Sequence, residues 1–412
     1  MSADVAGYAA FPVSSPTSER AQAITRDALE AGRIVRADAL WLAERMSDAS
    51  VRGAAFEAAA ESTRRALGDA VTFSRNVFIP LTNLCRDRCA YCTFAKQDDS
   101  PEAKTYTLSE VADVTRGGVR TGCIEALFCL GDKPEIAYRS YREWLAGAGY
   151  RSTAEYLVQG CRVSFEGGML PHTNAGILTQ EEMAALRQWN ASMGLMLESV
   201  SPRLRGKGMA HQYAPDKDPA VRLRMHAEAG ELKIPFTTGM LLGIGENVEE
   251  RVDTLFAMRE LDDRYGHIQE AIIQPFHPKP GTRMRWAAAV TDAEVADWSA
   301  LARLVLGREI SVQAPPNLSP ESFGELLAAG VSDWGGVSPV TVDFINPEAP
   351  WPALRDLRAR TEAHGKRLVE RLPVYPRHAR QPEFFEANVY EAVQRAATGE
   401  FYARPRMSLE AA

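Results

Sequence analysis

The sequence lacks several features that mark other classes of protein. It has no apolar run of the ~18 residues needed to span a bilayer, and residues 1–8 have neither the basic start nor the apolar core of a signal peptide. Positive charge is not in excess, since 47 Lys and Arg stand against 54 Asp and Glu. Cysteine is scarce, with six in 412 residues, which fits a reducing compartment. We therefore expect a cytoplasmic protein without nucleic-acid or membrane partners.

The pattern of apolar residues divides the chain into three parts. Residues 1–70 are rich in Ala, Arg and Glu, with apolar residues at helical intervals, which predicts an N-terminal helical extension. Residues 71–346 alternate short apolar runs with amphipathic segments, and residues 347–412 combine several prolines with an aromatic helical segment. The last part therefore predicts a C-terminal helical extension outside the main domain.

The eight apolar runs of the middle part predict parallel strands. They show little alternation, as strands buried on both faces require, and eight strand–helix repeats over about 260 residues match the ~250 residues of a closed barrel. The predicted fold class is α/β, a TIM-type (β/α)8 barrel, with a partial six-stranded barrel as the alternative because the last two runs are the weakest. The runs are 77–81, 124–130, 169–172, 194–198, 235–242, 268–274, 310–314 and 331–334.

Three cysteines form a C-x3-C-x2-C run directly after the first predicted strand: Cys85, Cys89 and Cys92. Thiolates select iron–sulfur clusters or zinc, and three on one short loop can hold three irons of a 4Fe–4S cluster, leaving the fourth iron open. Zinc is the alternative, but structural zinc sites usually use four ligands in two pairs, and no second pair is present. The remaining cysteines are isolated and are interpreted as small buried residues: Cys123, Cys129 and Cys161.

Polar residues and glycines follow several predicted strands, where the functional residues of parallel barrels lie. His172 ends the third predicted strand and Asn174 follows it, and either substrate contact or a structural role is open for His172. Glu198 ends the fourth strand, and a buried carboxylate needs a partner. Ribose hydroxyls, a cation or a salt bridge to Arg203 are the alternatives. The glycine run that starts at Gly239 would let a ligand approach closely but lacks the Lys-Ser/Thr of a phosphate loop.

The cysteine run, with Tyr91 before its last cysteine, resembles the signature of radical S-adenosylmethionine (SAM) enzymes. The resemblance implies that SAM binds the open iron, and that one electron from the cluster cleaves SAM to a 5′-deoxyadenosyl radical. Residues 131–134, Gly-Asp-Lys-Pro, stand where the family usually has Gly-Gly-Glu-Pro, so the family glutamate is not carried over. The cofactor-binding residues implied are Tyr91, Gly131, Asp132, Glu198, Gly239, Gly243, Glu246, Gln274 and Pro280.

Residues 76–350 more narrowly resemble the deazaflavin (FO) synthase family, in segments 82–94, 170–176, 212–217 and 279–282. This implies ring closure of 5-amino-5-(4-hydroxybenzyl)-6-(D-ribitylimino)-5,6-dihydrouracil, with loss of ammonia, to the chromophore of coenzyme F-420. The implied substrate-binding residues are His172, Asn174 and Tyr213, and the unranked candidates for the general acid or base are His172, His211 and His277.

The resemblance also implies two protein partners, a sister enzyme that makes the substrate from tyrosine and an electron donor of the ferredoxin or flavodoxin type. Two other functions remain open from the sequence. One is the sister reaction, which joins tyrosine to the ribityl-diaminouracil. The other, of a different class, is a non-catalytic iron–sulfur redox sensor.

Overall fold

The computed structural model describes residues 15–407. Its strands are β1 (Ala70–Ile79), β2 (Glu125–Cys129), β3 (Leu170–Asn174), β4 (Ser192–Gly194), β5 (Phe236–Leu242), β6 (Ile268–Pro275), β7 (Ser311–Gln313), β8 (Asp333–Val337) and β9 (Arg367–Glu370). Its helices are α1 (Pro16–Ala31), α2 (Arg36–Ala43), α3 (Ala49–Leu67), α4 (Leu108–Arg120), α5 (Pro134–Ala137), α6 (Arg139–Gly147), α7 (Thr153–Glu166), α8 (Gln180–Arg187), α9 (Pro219–Glu231), α10 (Val248–Tyr265), α11 (Asp292–Leu306), α12 (Phe323–Ala328), α13 (Leu354–Ala363), α14 (Pro376–Ala379) and α15 (Ala387–Ala396).

Strands β1 to β8 form a closed parallel barrel. Each strand pairs with the next along the chain, and β1 pairs in parallel with both β2 and β8, which closes the ring. Every residue of β1 and β5 is buried, as strands enclosed by helices require. The predicted (β/α)8 barrel is confirmed, and the six-stranded alternative is wrong because β7 and β8 are both present.

Strand β1 begins at Ala70, seven residues before the predicted start at residue 77. The prediction missed this part because its sequence includes the polar residues Ser74, Arg75 and Asn76. The Arg75 side chain is completely buried, and its Nη2 lies 3.1 Å from Glu370 Oε2 in β9. A buried charge is tolerated when it is paired in this way. The polar residues at 74–76 therefore lie within the strand, although the prediction took them as lying before its start.

Strand β4 covers only three residues and ends at Gly194, where the predicted strand was to begin. The chain beyond it stays beside β5 but leaves the regular ladder, and a single parallel bridge joins Glu198 to Met240. Glu198 has a φ of +63°, a left-handed conformation that only a few per cent of non-glycine residues adopt. This turn places the Glu198 carboxylate at the carboxyl end of the barrel.

The helices around the barrel begin at polar caps that the sequence supplies locally. The side chains of Thr107, Thr179 and Asn247 each accept a hydrogen bond from the amide three residues later, and the glutamate at that position bonds back to the cap. Such capping boxes satisfy amides that have no partner within the helix. They fix where α4, α8 and α10 start and hence the length of the loops at the carboxyl ends of the strands.

The segments outside the barrel cover its side and its amino end. Helices α2 and α3 pack on α10, α11 and α12. Strand β9 pairs in parallel with β1, and the residues after it, including Leu372 and Val374, join an apolar cluster with Ile124 and Leu170 at the amino ends of β2 and β3. The predicted domain limits at residues 70 and 346 stay a prediction. None of the helices between residues 15 and 407 has the length and apolar character that crossing a membrane requires.

Candidate active site

A cavity of about 250 Å³ lies at the carboxyl ends of the barrel strands. Its wall is built from the loops that follow β1, β2, β3, β4, β6 and β8, so residues far apart in the sequence meet there. The predicted site residues that line it are Cys85, Cys89, Cys92, Tyr91, Gly131, Asp132, Asn174, Glu198, Gln274 and His277. The predicted residues that do not line it are His172, His211, Tyr213, Gly239, Gly243, Glu246 and Pro280.

The cysteine loop is held by hydrogen bonds from its backbone to three other loops. Arg86 N donates to the carbonyl of Asp132 at 2.9 Å, and Arg88 N donates to the carbonyl of Tyr213 at 2.9 Å. Ala90 N donates to the carbonyl of Ala210 at 2.8 Å, and its own carbonyl accepts from Met284 N at 3.1 Å. These contacts fix the positions of the three thiols before any ligand binds.

The thiols have the surroundings that an iron–sulfur cluster requires. Burial raises the pKa of Cys89 to about 12 and raises that of Cys85 further, so both thiols are protonated until a metal displaces the protons. The amide of Asp132 donates to Cys85 Sγ at 3.1 Å, and hydrogen bonds of this kind tune cluster sulfurs. Three thiols on one cavity wall therefore fit a 4Fe–4S cluster with one iron free of protein ligands.

Gly131 lies so close to the cysteine loop that no side chain fits there. A Cβ atom at this position would overlap the Leu84 carbonyl oxygen and lie 2.6 Å from Cys85 Cβ. We expect Gly131→Ala to displace Cys85 and to lose most of the iron after reconstitution, with a stability cost of about 1–3 kcal/mol. Iron per chain and the melting temperature measure the two effects.

Gly147→Ala is the matched control, because a Cβ on Gly147 at the end of α6 meets no atom within 4 Å. This variant should keep the iron content and melting temperature of the wild type. Normal iron content in Gly131→Ala would mean that the tight contact between the loops after β1 and β2 does not position the cysteines.

Three carboxylates, Asp87, Asp132 and Asp216, meet behind the cysteine loop with oxygens within 4.8 Å of one another. Burial and the charge of Asp216 raise the pKa of Asp87 to about 6 and that of Asp132 to about 7. Asp216 forms an ion pair with Arg86. Asp132 Oδ2 accepts from Ile177 N at 2.9 Å, whereas its buried Oδ1 has no partner among residues 15–407. Asp132 therefore offers a buried acceptor beside Cys85.

Glu198 lies at the centre of a second polar group in the cavity wall. Lys217 Nζ lies 2.5 Å from its Oε1, and Tyr91 OH donates to its Oε2 at 2.7 Å. His211 Nε2 lies 3.1 Å from the same Oε2. Burial alone would raise the pKa of Glu198, but the Lys217 charge and the hydrogen bond with His211 outweigh it and hold that pKa well below its ordinary value. Glu198 is therefore an anion.

One alternative from the sequence was a salt bridge between Glu198 and Arg203, and the structure does not contain it. Arg203 instead pairs with Glu250, with Nη2 lying 2.7 Å from Oε2. Glu198 therefore does form a salt bridge, but its partner is Lys217 and not Arg203, and contact of Glu198 with ribose hydroxyls stays a prediction. The reason is the turn at Glu198, which points its carboxylate towards the loop of residues 205–217 rather than towards α10.

The glycine run that starts at Gly239 in β5 lies beside the cavity and supports its wall. Gly243 N and Ile244 N donate to the two oxygens of Glu246 at 2.6 and 2.8 Å, and Arg251 Nε donates to Oε1 at 2.7 Å. Gly239 packs against the side chain of Met196, which lines the cavity. A direct contact of these residues and of the outlying Pro280 with a cofactor stays a prediction.

The three candidate histidines have different surroundings. His172 is buried, its Nδ1 lies 2.6 Å from Ser192 Oγ, and burial with the charge of Arg371 lowers its pKa to about 3. His211 is buried against Tyr91 and Glu198. His277 is the one of the three that lines the cavity. The role of any of the three as general acid or base stays a prediction.

Several cavity residues were missed as site residues in the sequence. Lys217 belongs to a segment that carried the family resemblance, and Asp87 stands between two cysteines, so both had a local signal. Arg222 in α9 and Asn346 after β8 line the cavity with no neighbouring motif. Asp216 does not line the cavity and reaches the site through the carboxylates of Asp87 and Asp132 and through its ion pair with Arg86. These positions depend on how distant loops pack, which spacing along the chain does not reveal.

Comparisons with known proteins agree with this geometry. A model of the radical SAM superfamily matches residues 79–258. The 7,8-didemethyl-8-hydroxy-5-deazariboflavin synthase of Methanopyrus kandleri is 48% identical over 335 residues, which cover 81% of this chain and 100% of that protein. The protein of the same name from Methanosarcina barkeri is 47% identical over 76% of this chain and 93% of its own. The FO synthase of Mycobacterium tuberculosis is 50% identical over 75% of this chain but only 37% of its own length.

Solved structures share the fold at much lower identity. The FeFe-hydrogenase maturase HydG from Carboxydothermus hydrogenoformans superposes with a TM-score of 0.70 at 17% identity, covering 92% of this chain and 90% of that one. Methylornithine synthase gives a TM-score of 0.64 at 16% identity, covering 84% and 97%. These likenesses support the barrel alone, whereas the identity over whole relatives decides the family. The chain is an enzyme that belongs to the 7,8-didemethyl-8-hydroxy-5-deazariboflavin synthase family of the radical SAM superfamily.

Proposed function

We propose that this enzyme closes the third ring of the FO chromophore, converting the hydroxybenzyl–ribityl-dihydrouracil adduct to 7,8-didemethyl-8-hydroxy-5-deazariboflavin with release of ammonia. The observation that carries the proposal is the cavity lined by the three thiols of the cysteine loop and by polar side chains from five further loops. The identity to the M. kandleri synthase over its whole length supports the same reaction.

We assign the cofactor end of the cavity to the residues around Cys85. Cys85, Cys89 and Cys92 would hold the 4Fe–4S cluster, which with bound SAM supplies a 5′-deoxyadenosyl radical when one electron reduces it. Gly131 and Asp132 lie beside Cys85, and the buried Oδ1 of Asp132 is an acceptor for the amino group of SAM. Glu198, held as an anion by Lys217, is an acceptor for ribose hydroxyls.

We assign the substrate to other residues that line the cavity. Asn174, Asn346 and Lys279 carry amide and ammonium groups of the kind that bind a uracil and a polyol, and Phe276 adds an apolar ring. Lys279 Nζ donates to Asn346 Oδ1 at 2.8 Å. His277, the candidate histidine that lines the cavity, would give a proton to the departing amine. An unactivated carbon cannot lose hydrogen to a polar side chain, so these residues orient the substrate within the roughly 3–3.5 Å that hydrogen transfer needs.

Anaerobic turnover tests the proposed reaction. Reconstituted enzyme with SAM, dithionite and the adduct should release FO, 5′-deoxyadenosine, methionine and ammonia, all measurable by mass spectrometry. Deoxyadenosine without FO would refute the assigned substrate and leave the radical SAM activity standing. Formation of the adduct from tyrosine and ribityl-diaminouracil, supplied without a second enzyme, would favour the sister reaction instead.

A further inference from the structure

Two loops cover the outer side of the cysteine loop. Arg88 N and Ala90 N donate to the carbonyls of Tyr213 and Ala210 in the first loop, and Met284 N in the second donates to the carbonyl of Ala90. Arg283 Nη2 also donates to the carbonyl of Arg88 at 3.0 Å. Both loops therefore contact Arg88 or Ala90, the residues on either side of Cys89.

This surface exposes two large aromatic side chains. Trp286 is 84% exposed and Tyr213 is 56% exposed. The guanidinium carbon of Arg285 lies 5.3 Å from the Trp286 ring centre, and that of Arg283 lies 4.8 Å from the Tyr213 ring centre. Aromatic residues and arginine are the types most enriched in protein interfaces. We call the surface formed by Arg88, Tyr213, Arg283, Arg285 and Trp286 the Trp286 face.

The Trp286 face is cationic although the chain has a net charge of −7. Arg88 donates to the Gln97 side chain, Arg283 to the Arg88 carbonyl and Arg285 to the Thr282 carbonyl, all of them neutral acceptors. Between residues 15 and 407, none of these three guanidinium groups pairs with a carboxylate. Their charge is thus available to a partner of opposite sign.

We propose that the Trp286 face docks an acidic one-electron carrier protein of the ferredoxin type. The inference rests on the proposed function, because a cluster held by the cysteine loop must gain its electron from outside. The described residues contain no second group of cysteines that could relay it. The carrier would lose one electron and the cluster would gain it through the segment of Arg88 and Ala90, which flank Cys89 and bond to the two loops.

Binding and reduction of the reconstituted enzyme test this surface with a reduced, acidic bacterial ferredoxin as the probe. Arg285→Glu and Trp286→Ala should each weaken ferredoxin binding about tenfold or more, and salt should weaken wild-type binding in the same way. Calorimetry measures the binding, and stopped-flow absorbance measures the reduction of the cluster. With dithionite in place of ferredoxin, both variants should cleave SAM at the wild-type rate.

Arg395→Glu is the matched control, because Arg395 is 70% exposed on α15, which packs at the amino end of the barrel. It makes the same charge change and should leave ferredoxin binding unchanged. Equal binding by wild type and both face variants would overturn the proposal, as would loss of SAM cleavage with dithionite. Binding of the wild type to vesicles of equal parts phosphatidylcholine and phosphatidylglycerol, abolished by Trp286→Ala, would identify a membrane-binding surface and also overturn it.

The failure of the proposed function gives a different result. If the adduct is not converted to FO but ferredoxin-driven SAM cleavage still depends on Arg285 and Trp286, the docking surface stands and the substrate is wrong. If FO forms with both reductants and the face variants behave as wild type, the function stands and the surface is wrong.

Discussion

Alanine in place of Cys85, Cys89 or Cys92 is expected to abolish the cluster and all turnover. Each thiolate would bind one iron, and the three lie on one loop that lines the cavity, so the loss of any one would leave an iron without its ligand. Iron and sulfide in the reconstituted protein should fall from about four per chain to near zero in each variant. Anaerobic SAM cleavage should fall below detection in the same samples.

The other three cysteines provide matched controls. Cys123 and Cys161 are buried away from the cavity, and their replacement by alanine should cost about 1–3 kcal/mol of stability with no loss of iron. Cys129 is the sharper control because it lines the same cavity and burial raises its pKa to about 12. If Cys129→Ala also lost the cluster, a fourth thiolate ligand would be indicated, and the open iron that binds SAM would have no basis.

The barrel could be predicted because its strands are buried on both faces. Five of the eight strands lie within two residues of the apolar runs at both ends, and β8 ends three residues beyond its run. A run of apolar residues has no other stable place in such a fold. The two large errors, at β1 and β4, have local causes. Arg75 is neutralised by Glu370 nearly 300 residues later, and Glu198 adopts a left-handed turn. Neither the distant partner nor the turn has a signal in the neighbouring sequence.

The sequence predicted the candidate site only for residues near the carboxyl ends of the strands, because the direction of a parallel strand decides at which end of the barrel they lie. Residues at or just beyond the carboxyl end of a strand, such as Asn174, Gln274 and Asp132, line the cavity because all parallel strands end there. Residues that need a loop to fold back, such as Lys217 and Arg222, were missed. The glycine run of β5 was assigned to ligand contact, yet Glu246 binds its own loop and Arg251. A motif therefore identified the right loop without identifying which side chains reach the cavity.

Glutamine in place of Glu198 is expected to destabilise the protein by about 3–5 kcal/mol, because it leaves the nearly buried Lys217 ammonium without its counter-ion. Lys217→Met should lower the stability by a similar amount, because it leaves the buried Glu198 carboxylate without its counter-ion. The double variant should recover much of the loss, since neither charge remains to be compensated. Urea unfolding of the three variants and the wild type measures the coupling between the two residues, and independent costs that simply add would contradict the ion pair.

The pH dependence of that coupling distinguishes charge from packing. The pKa of Glu198 is held well below its ordinary value, so as pH falls the unfolded chain binds this proton before the folded one does. The contribution of the ion pair should therefore be complete above about pH 5 and decline below the ordinary glutamate value of ~4.3. Glu198→Asp keeps the charge but shortens the side chain, so it should retain this acid dependence at a lower coupling energy. A coupling that is unchanged from pH 7 to the acid limit of folding would mean that Glu198 supports the cavity by its shape, and its role as an anionic acceptor for ribose hydroxyls would then be wrong.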